Sequence, residues 1–513
     1  MPTITQVTTT DLIAVLPLLV LAGTGMVVLM WDAFEKRPSR IPLTLAVVGS
    51  LGAIAAALAN IDHNGRAFRG MLLDSTYSNF YAIIFSIAAI LAVLLAERNL
   101  KDEEVVIGEF AGLVLFAACG MVMLASGMDL IVTFLGLETM SIAFYVMAGL
   151  FRKSVRSNEA ALKYFLLGSF SAGFFLYGIA LLYGTFGSTN LDVMHRLLLN
   201  PADAARIVST PIFWMGTAML LVGFAFKIAA FPFHQWAPDV YDGAPTVVSG
   251  FMSTAGKAAA FSAFVLVFDV ALAPVVANTA AQDKLQFILC LLAVGSMVYG
   301  NITAIAQTNV KRMLAYSSIA HAGYMLLGVA TLNAEGSRAV AVYLTVYTLM
   351  QIGAFGVVAF IEKESDGGLF LNDYAGLARR KPMLAFIMTI MMLSLAGIPP
   401  LGGFFGKYYL FAAAIRAGLT PYAVIGVIAS LVSVYFYLRL IVLMYFREQG
   451  ETAYGTEIGK SVSILPAGGG AALAIPGTTG AWAALILAAV GLLVLGVAPA
   501  IMTGVVQNFF VQP

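Results

Sequence analysis

The sequence predicts an all-α polytopic membrane protein of about fourteen transmembrane helices. Three observations carry that prediction. Of 513 residues, 60% are hydrophobic and only 11% charged, with a mean hydropathy of +0.92. A soluble chain of this length needs more charge to cover its surface. Apolar runs of about 20 residues, the length that crosses a bilayer, recur along the whole chain. The basic residues between those runs alternate in number from one loop to the next.

The runs lie near 12–31, 42–61, 74–96, 108–126, 129–150, 159–184, 212–231, 246–272, 285–306, 313–330, 339–361, 383–415, 421–446 and 481–507. Those near 212–250 and 383–415 are the least regular, because Pro and Gly interrupt them. The first run follows no basic segment and no small-residue cleavage site, so it reads as a retained helix. Cys119 and Cys290 fall inside apolar runs and read as inert core thiols, with no disulfide framework and no iron–sulfur spacing.

Taking every second loop from the first helix onward gives Lys36, Arg37, Arg40, Arg98, Lys101, Arg152, Lys153, Arg156, Lys311, Arg312, Lys363, Arg379, Arg380, Lys381, Arg447 and Lys460, 16 basic residues. The other loops hold Arg66, Arg69, Arg196, Arg206, Lys284, Arg338 and Arg416, which is 7. The richer side should face the cytoplasm, and an even helix count then places both termini outside. Residues 362–382 and 447–480 read as extramembranous, the latter as a loose Gly/Pro/Ala-rich loop. The net charge of +1 and the lack of a basic stripe give no sign of a nucleic-acid partner.

Ionised side chains are costly inside hydrocarbon, by about 2.5–3.5 kcal/mol on insertion scales. Four stand mid-run here: Glu138 in LIVTFLGLETMSIAFYVMAGL, Lys227 in LLVGFAFKIAAFPF, Lys257 in SGFMSTAGKAAAFSAFVL and Lys407 in LAGIPPLGGFFGKYYLF. Each could be a buried polar residue that fixes helix packing; four together point to a polar path. The residue types suit protons. Burial makes a lysine easier to deprotonate and a nearby carboxylate opposes this, so a Lys whose distance to a Glu changes can hold or release a proton. Arg cannot do so. Arg439, near a helix end, reads as a snorkelling residue.

Two weaker candidates follow. Lys163 in NEAALKYFLLGSF lies near a helix end, where snorkelling competes with function. His321 in SSIAHAGYM is either a core hydrogen-bonder or a relay, since imidazole titrates near neutrality. His234 follows Pro232 and is expected to anchor a loop; Asp239 and Asp242 are expected to cap or turn it.

Proline expels the helix partner four residues back. Pro232 should free the carbonyl of Ile228, beside Lys227. Pro399 and Pro400 should free those of Leu395 and Ala396, and Gly402, Gly403 and Gly406 loosen the turn before Lys407. Irregular backbone at membrane depth is tolerated only inside protein or around a wet cavity. The breaks fall in the seventh and twelfth runs, five apart. A five-helix unit is odd, so a second copy would enter the membrane inverted.

The strings LGLETMSIAFYVMAGL, AALKYFLLGSFSAGFFLYG, FKIAAFPFHQWAPDVYDGAPT, VKRMLAYSSIAHAGYMLLG and LAGIPPLGGFFGKYYLF resemble the subunit N family of bacterial and plastid-type respiratory complex I, over about 105–446. Subunits L and M and the Mrp-type antiporters form the wider antiporter-like family. The resemblance implies an N-terminal part at 1–104 (helices 1–3), inverted five-helix repeats at 105–272 (helices 4–8) and 273–446 (helices 9–13), and a loop with helix 14 at 447–513. It implies that Glu138 pairs with Lys227, that Lys257 links two half-channels, that Lys407 serves the exit path, and that Lys163 and His321 are relay positions. It implies no cofactor in this chain: flavin, iron–sulfur clusters and quinone sites would belong to partner subunits of the membrane and peripheral arms, in a bacterial inner membrane. Two other functions use the same residues: a self-standing cation–proton antiporter, and a membrane scaffold without transport.

Overall fold

A computed structural model describes residues 7–35, 39–100, 107–272, 279–362, 368–448, 479–507 and 509. Each apolar run of the sequence coincides with one helix or with a broken pair. Among the described residues, eleven helices are long and apolar enough to cross a membrane, and a twelfth span arises if Pro201–Ser209 and Pro211–Lys227, bent by 76° at their junction, count as one. The other runs differ for local reasons. Val310–Val329 is diluted by Lys311, Arg312, Ser317, Ser318 and His321. The 383–415 run is two 15-residue helices, Pro382–Ala396 and Gly402–Arg416, each shorter than a bilayer.

Position in the bundle follows composition. Thr246–Ala271 and Ala334–Glu362 are apolar on all sides and lie at the centre, as all-round hydrophobic helices do. Leu16–Phe34 and Val155–Phe186 lie at the margin, where Leu135, Ile142, Phe170 and Leu431 also present apolar surface outward. Helix starts carry the expected caps: Asp129 accepts the Ile131 amide at 2.8 Å, and Asn309 accepts that of Arg312 at 3.1 Å.

Three features are absent from the sequence reading. A hairpin pairs Asn64–Ala67 with Leu72–Ser75; Asn190 donates to its Gly70 carbonyl at 2.8 Å. Two short helices, Leu191–Leu199 and Pro201–Ser209, fill the 184–212 connection. All of these are shorter than the 20-residue window that finds spans. The central helix contains π-helical turns at Met252–Gly256 and Leu266–Ala271.

The ion pairs keep to one set of loops or the other. Arg40–Glu97, Arg152–Glu109, Arg312–Asp239 and Arg379–Glu448 involve the richly basic set, while Arg66–Asp192 and Arg416–Glu335 involve the sparse one. Lys36, Arg37, Lys101, Lys363, Lys460 and most of the 447–480 loop lie outside the described residues. The 362–382 segment is partly built into the fold: Leu369 accepts the Val310 amide at 2.7 Å, and Leu377–Arg380 forms a short helix.

Candidate functional site

The first helix break begins at Lys227, the last residue of its helix. This is one residue earlier than a freed Ile228 carbonyl requires: Ala229 turns to φ +56, and the Phe226 carbonyl accepts the indole N–H of Trp236 at 2.9 Å. Trp236 stacks on Tyr164 at 4.5 Å. The Lys227 ammonium donates to Ser141 Oγ at 2.6 Å and Tyr145 Oη at 3.4 Å, and lies 5.5 Å from the Tyr164 ring centre. Glu138 sits three residues before Ser141, on the same helix face. Its Oε1 is buried and makes no hydrogen bond, and no direct ion pair joins it to Lys227 among the described residues. Each of the two charges lies in the other's field.

At the second break, Pro399 and Pro400 interrupt the helical ladder, and Lys407 takes the freed carbonyls. Its Nζ donates to Leu395 O at 2.8 Å, Ala396 O at 3.1 Å and Ser430 Oγ at 2.8 Å, beneath the ring of Tyr324 at 5.1 Å. Glycines make the approach possible. A Cβ on Gly403 would stand 1.9 Å from the Ser394 carbonyl oxygen, and one on Gly406 would stand 2.4 Å from the Tyr343 ring.

Lys257 and His321 occupy the space between the breaks. The Lys257 ammonium donates to the Ser318 carbonyl at 2.6 Å and also to the Ser318 hydroxyl. One helical turn on, His321 bonds the hydroxyls of Tyr343 through Nδ1 and of Tyr437 through Nε2, the latter at 3.0 Å. Tyr437 also bonds Ser317 at 2.5 Å. Lys227, Lys257, His321 and Lys407 are 5, 1, 1 and 5% exposed, so these hydroxyls and carbonyls replace their water.

Lys163 stands apart, half-exposed, paired with Glu159 at 2.6 Å and Asp239 at 3.0 Å. Asp239 therefore does more than turn a loop: Arg312 also binds it, at 2.8 Å. Burial alone would raise the Asp239 carboxyl, but Arg312 and Lys163 together hold it below the usual carboxylate range. Asp242 accepts from Asn309 at 2.9 Å. Arg439 reaches the terminal carbonyls of a neighbouring helix, Ile305 at 2.9 Å and Gln307 at 2.6 Å. His234 is buried beside Phe231 and Tyr299.

Sequence reasoning missed Ser141, Tyr145, Ser317, Ser318, Tyr343, Ser430 and Tyr437. Their signal is periodic: Glu138, Ser141 and Tyr145, like Ser430, Ser433 and Tyr437, are spaced i, i+3, i+7, one polar stripe on an apolar helix.

Buried ammonium groups at broken helices of an apolar bundle define a membrane protein of the transporter class. The family described as NADH:quinone oxidoreductase/Mrp antiporter, TM matches residues 127–433. NADH-quinone oxidoreductase subunit N of Trichlorobacter lovleyi is 44% identical over 440 residues, 86% of this chain and 88% of that one. That of Salinibacter ruber is 41% identical over 495 residues, covering 95% and 93%. The chain belongs to the NADH-quinone oxidoreductase subunit N family. Among solved structures, a chain of respiratory complex I from Thermus thermophilus superposes with a TM-score of 0.74 at 35% identity, covering 95% of this chain and 98% of that one. A chain of the Mrp complex from Dietzia shares the fold, with a TM-score of 0.79 at 21% identity over 98% and 97%.

Proposed function

We propose that this chain moves protons across the bacterial inner membrane as the N subunit of NADH–quinone oxidoreductase, driven by quinone reduction in partner subunits. Glu138 and Lys227 form the first switch, Lys257 joins two half-channels, His321 relays, Lys407 serves the exit, and Lys163 feeds the path from the cytoplasmic side. The chain itself carries no cofactor; flavin, iron–sulfur clusters and the quinone site belong to the other arms of the assembly. About fourteen helices cross the bilayer, with repeats at 105–272 and 273–446, and both termini face outward. The separation of ion pairs into two loop sets supports that orientation.

One observation carries the reading: Lys257, His321 and Lys407 each end on hydroxyls or carbonyls within an otherwise apolar interior. An ammonium ion held this way is costly to bury, and packing alone would be served better by Leu. Lysine can also give its proton up, which suits transport.

The test is proton translocation per electron pair in membrane vesicles, with assembly checked on native gels. Lys257→Met should assemble and oxidise NADH, with proton yield at least halved. A full yield in that variant would overturn the relay. A self-standing antiporter would instead exchange cations for protons without co-purifying redox subunits.

A further inference from the structure

The Trp236–Gly243 helix lies in sequence between the Lys227 break and the helix of Lys257. It is clamped firmly to the start of Val310–Val329, the helix that carries Ser318 and His321. Arg312 binds Asp239 at 2.8 Å, Asn309 binds Asp242 at 2.9 Å, and Lys311 donates to the Ala244 carbonyl at 2.9 Å. On the other side, Lys163 of Val155–Phe186 reaches the same Asp239 at 3.0 Å. Lys163 also has Glu159 on its own helix, at 2.6 Å. It can leave Asp239 without losing its counter-charge, and Asp239 is then left with Arg312, which stays charged. Both residues are partly exposed, 42% for the Lys163 side chain and 41% for Asp239, so this exchange costs little.

We propose that Asp239 is a positioning residue shared by the two repeats, through which the placement of Lys163 acts on the Val310–Val329 helix. This rests on the relay reading above. With Lys163 engaged, the carboxylate is divided between two cations on different helices. With Lys163 withdrawn to Glu159, Arg312 holds it alone, and the helix bearing His321 is free to settle against it. Arg312 is the fixed partner and Lys163 the moving one.

The experiment uses the complete complex in membrane vesicles and compares Asp239→Asn, Lys163→Gln, the double variant and Asp239→Glu, with Lys257→Met run in parallel. Protons per electron pair and assembled amount are measured separately. Asp239→Asn and Lys163→Gln should each at least halve the ratio. The double variant should fall no further than either single one, and Asp239→Glu should recover most of the yield. A purely structural brace would lower the amount of complex and leave the ratio alone, which would overturn the proposal. So would a full ratio in Lys163→Gln, or single-variant losses that multiply in the double. If Asp239→Asn fails to assemble, Lys163→Gln still decides, because it leaves the Asp239–Arg312 pair intact. Loss in Lys257→Met with full yield in Lys163→Gln would overturn this proposal and leave the relay standing.

Discussion

The ammonium of Lys407 donates to the carbonyl of Leu395 at 2.8 Å, across the gap that two prolines open in the backbone. The lysine thus completes a helix end whose own amides cannot reach it. It holds the break together and sits where a proton would pass, and these two roles separate by substitution.

Lys407→Arg keeps a permanent cation that can bond Leu395, Ala396 and Ser430. The complex should therefore assemble. Proton yield should still fall about tenfold, a barrier change of ~1.4 kcal/mol, because guanidinium does not deprotonate. Lys407→Ala should lose assembly and yield together. Full pumping in the Arg variant would assign Lys407 a purely electrostatic role.

For Glu138, the expected order of proton yield is Glu, then Asp, then Gln. Asp keeps the charge that Lys227 feels and shortens the reach by one methylene. Gln keeps the size and removes the charge. The buried Oε1 has no hydrogen bond to lose, so a packing role would make Gln the milder change. Yield per electron pair in fully assembled enzyme is the measurement, and a Gln variant equal to wild type would end the switch reading.

Tyr437→Phe removes one oxygen from the contacts to His321 and Ser317. The ring is retained, so packing is preserved, while two buried groups lose a partner at about 1–3 kcal/mol each. Proton yield and thermal stability should both drop. An unchanged yield would remove Tyr437 from the path.

Gly403→Ala places a Cβ 1.9 Å from the Ser394 carbonyl oxygen. Backbone cannot yield as a flexible side chain does, so destabilisation at or above the ~1–3 kcal/mol of ordinary overpacking is expected. Thermal denaturation of the purified complex is the check; Gly173→Ala, with nothing within 4 Å, serves as the silent control.

The charged members of the site were legible in one dimension. A lysine in an apolar run stands out without any knowledge of neighbours, and proline announces a break by its chemistry. The Leu395 and Ala396 carbonyls were foreseeable for that reason, and both bind Lys407. The first break stops earlier than Pro232 alone requires because Trp236, ten residues on, claims the Phe226 carbonyl. What could not be read were partners contributed by other helices: Ser430 for Lys407, Tyr437 for His321, Arg312 for Asp239. A hydroxyl in an apolar helix reads as filler until the opposite helix is in place. The hairpin and the two short helices were invisible for a simpler reason, their length.

The π-helical turn at Met252–Gly256 immediately precedes Lys257. Such a turn amounts to one extra residue threaded into an α-helix. At 3.6 residues per revolution, that residue swings everything after it by about 100°. The compass bearing of Lys257, and so whether it meets Ser318 or points elsewhere, is thus set by a single inserted amino acid. Deleting one residue from the turn would leave the lysine in the chain, at nearly the same depth, facing the wrong neighbour. A genome could gain or lose the connection between the two halves by one in-frame triplet, without altering any residue that bears a charge.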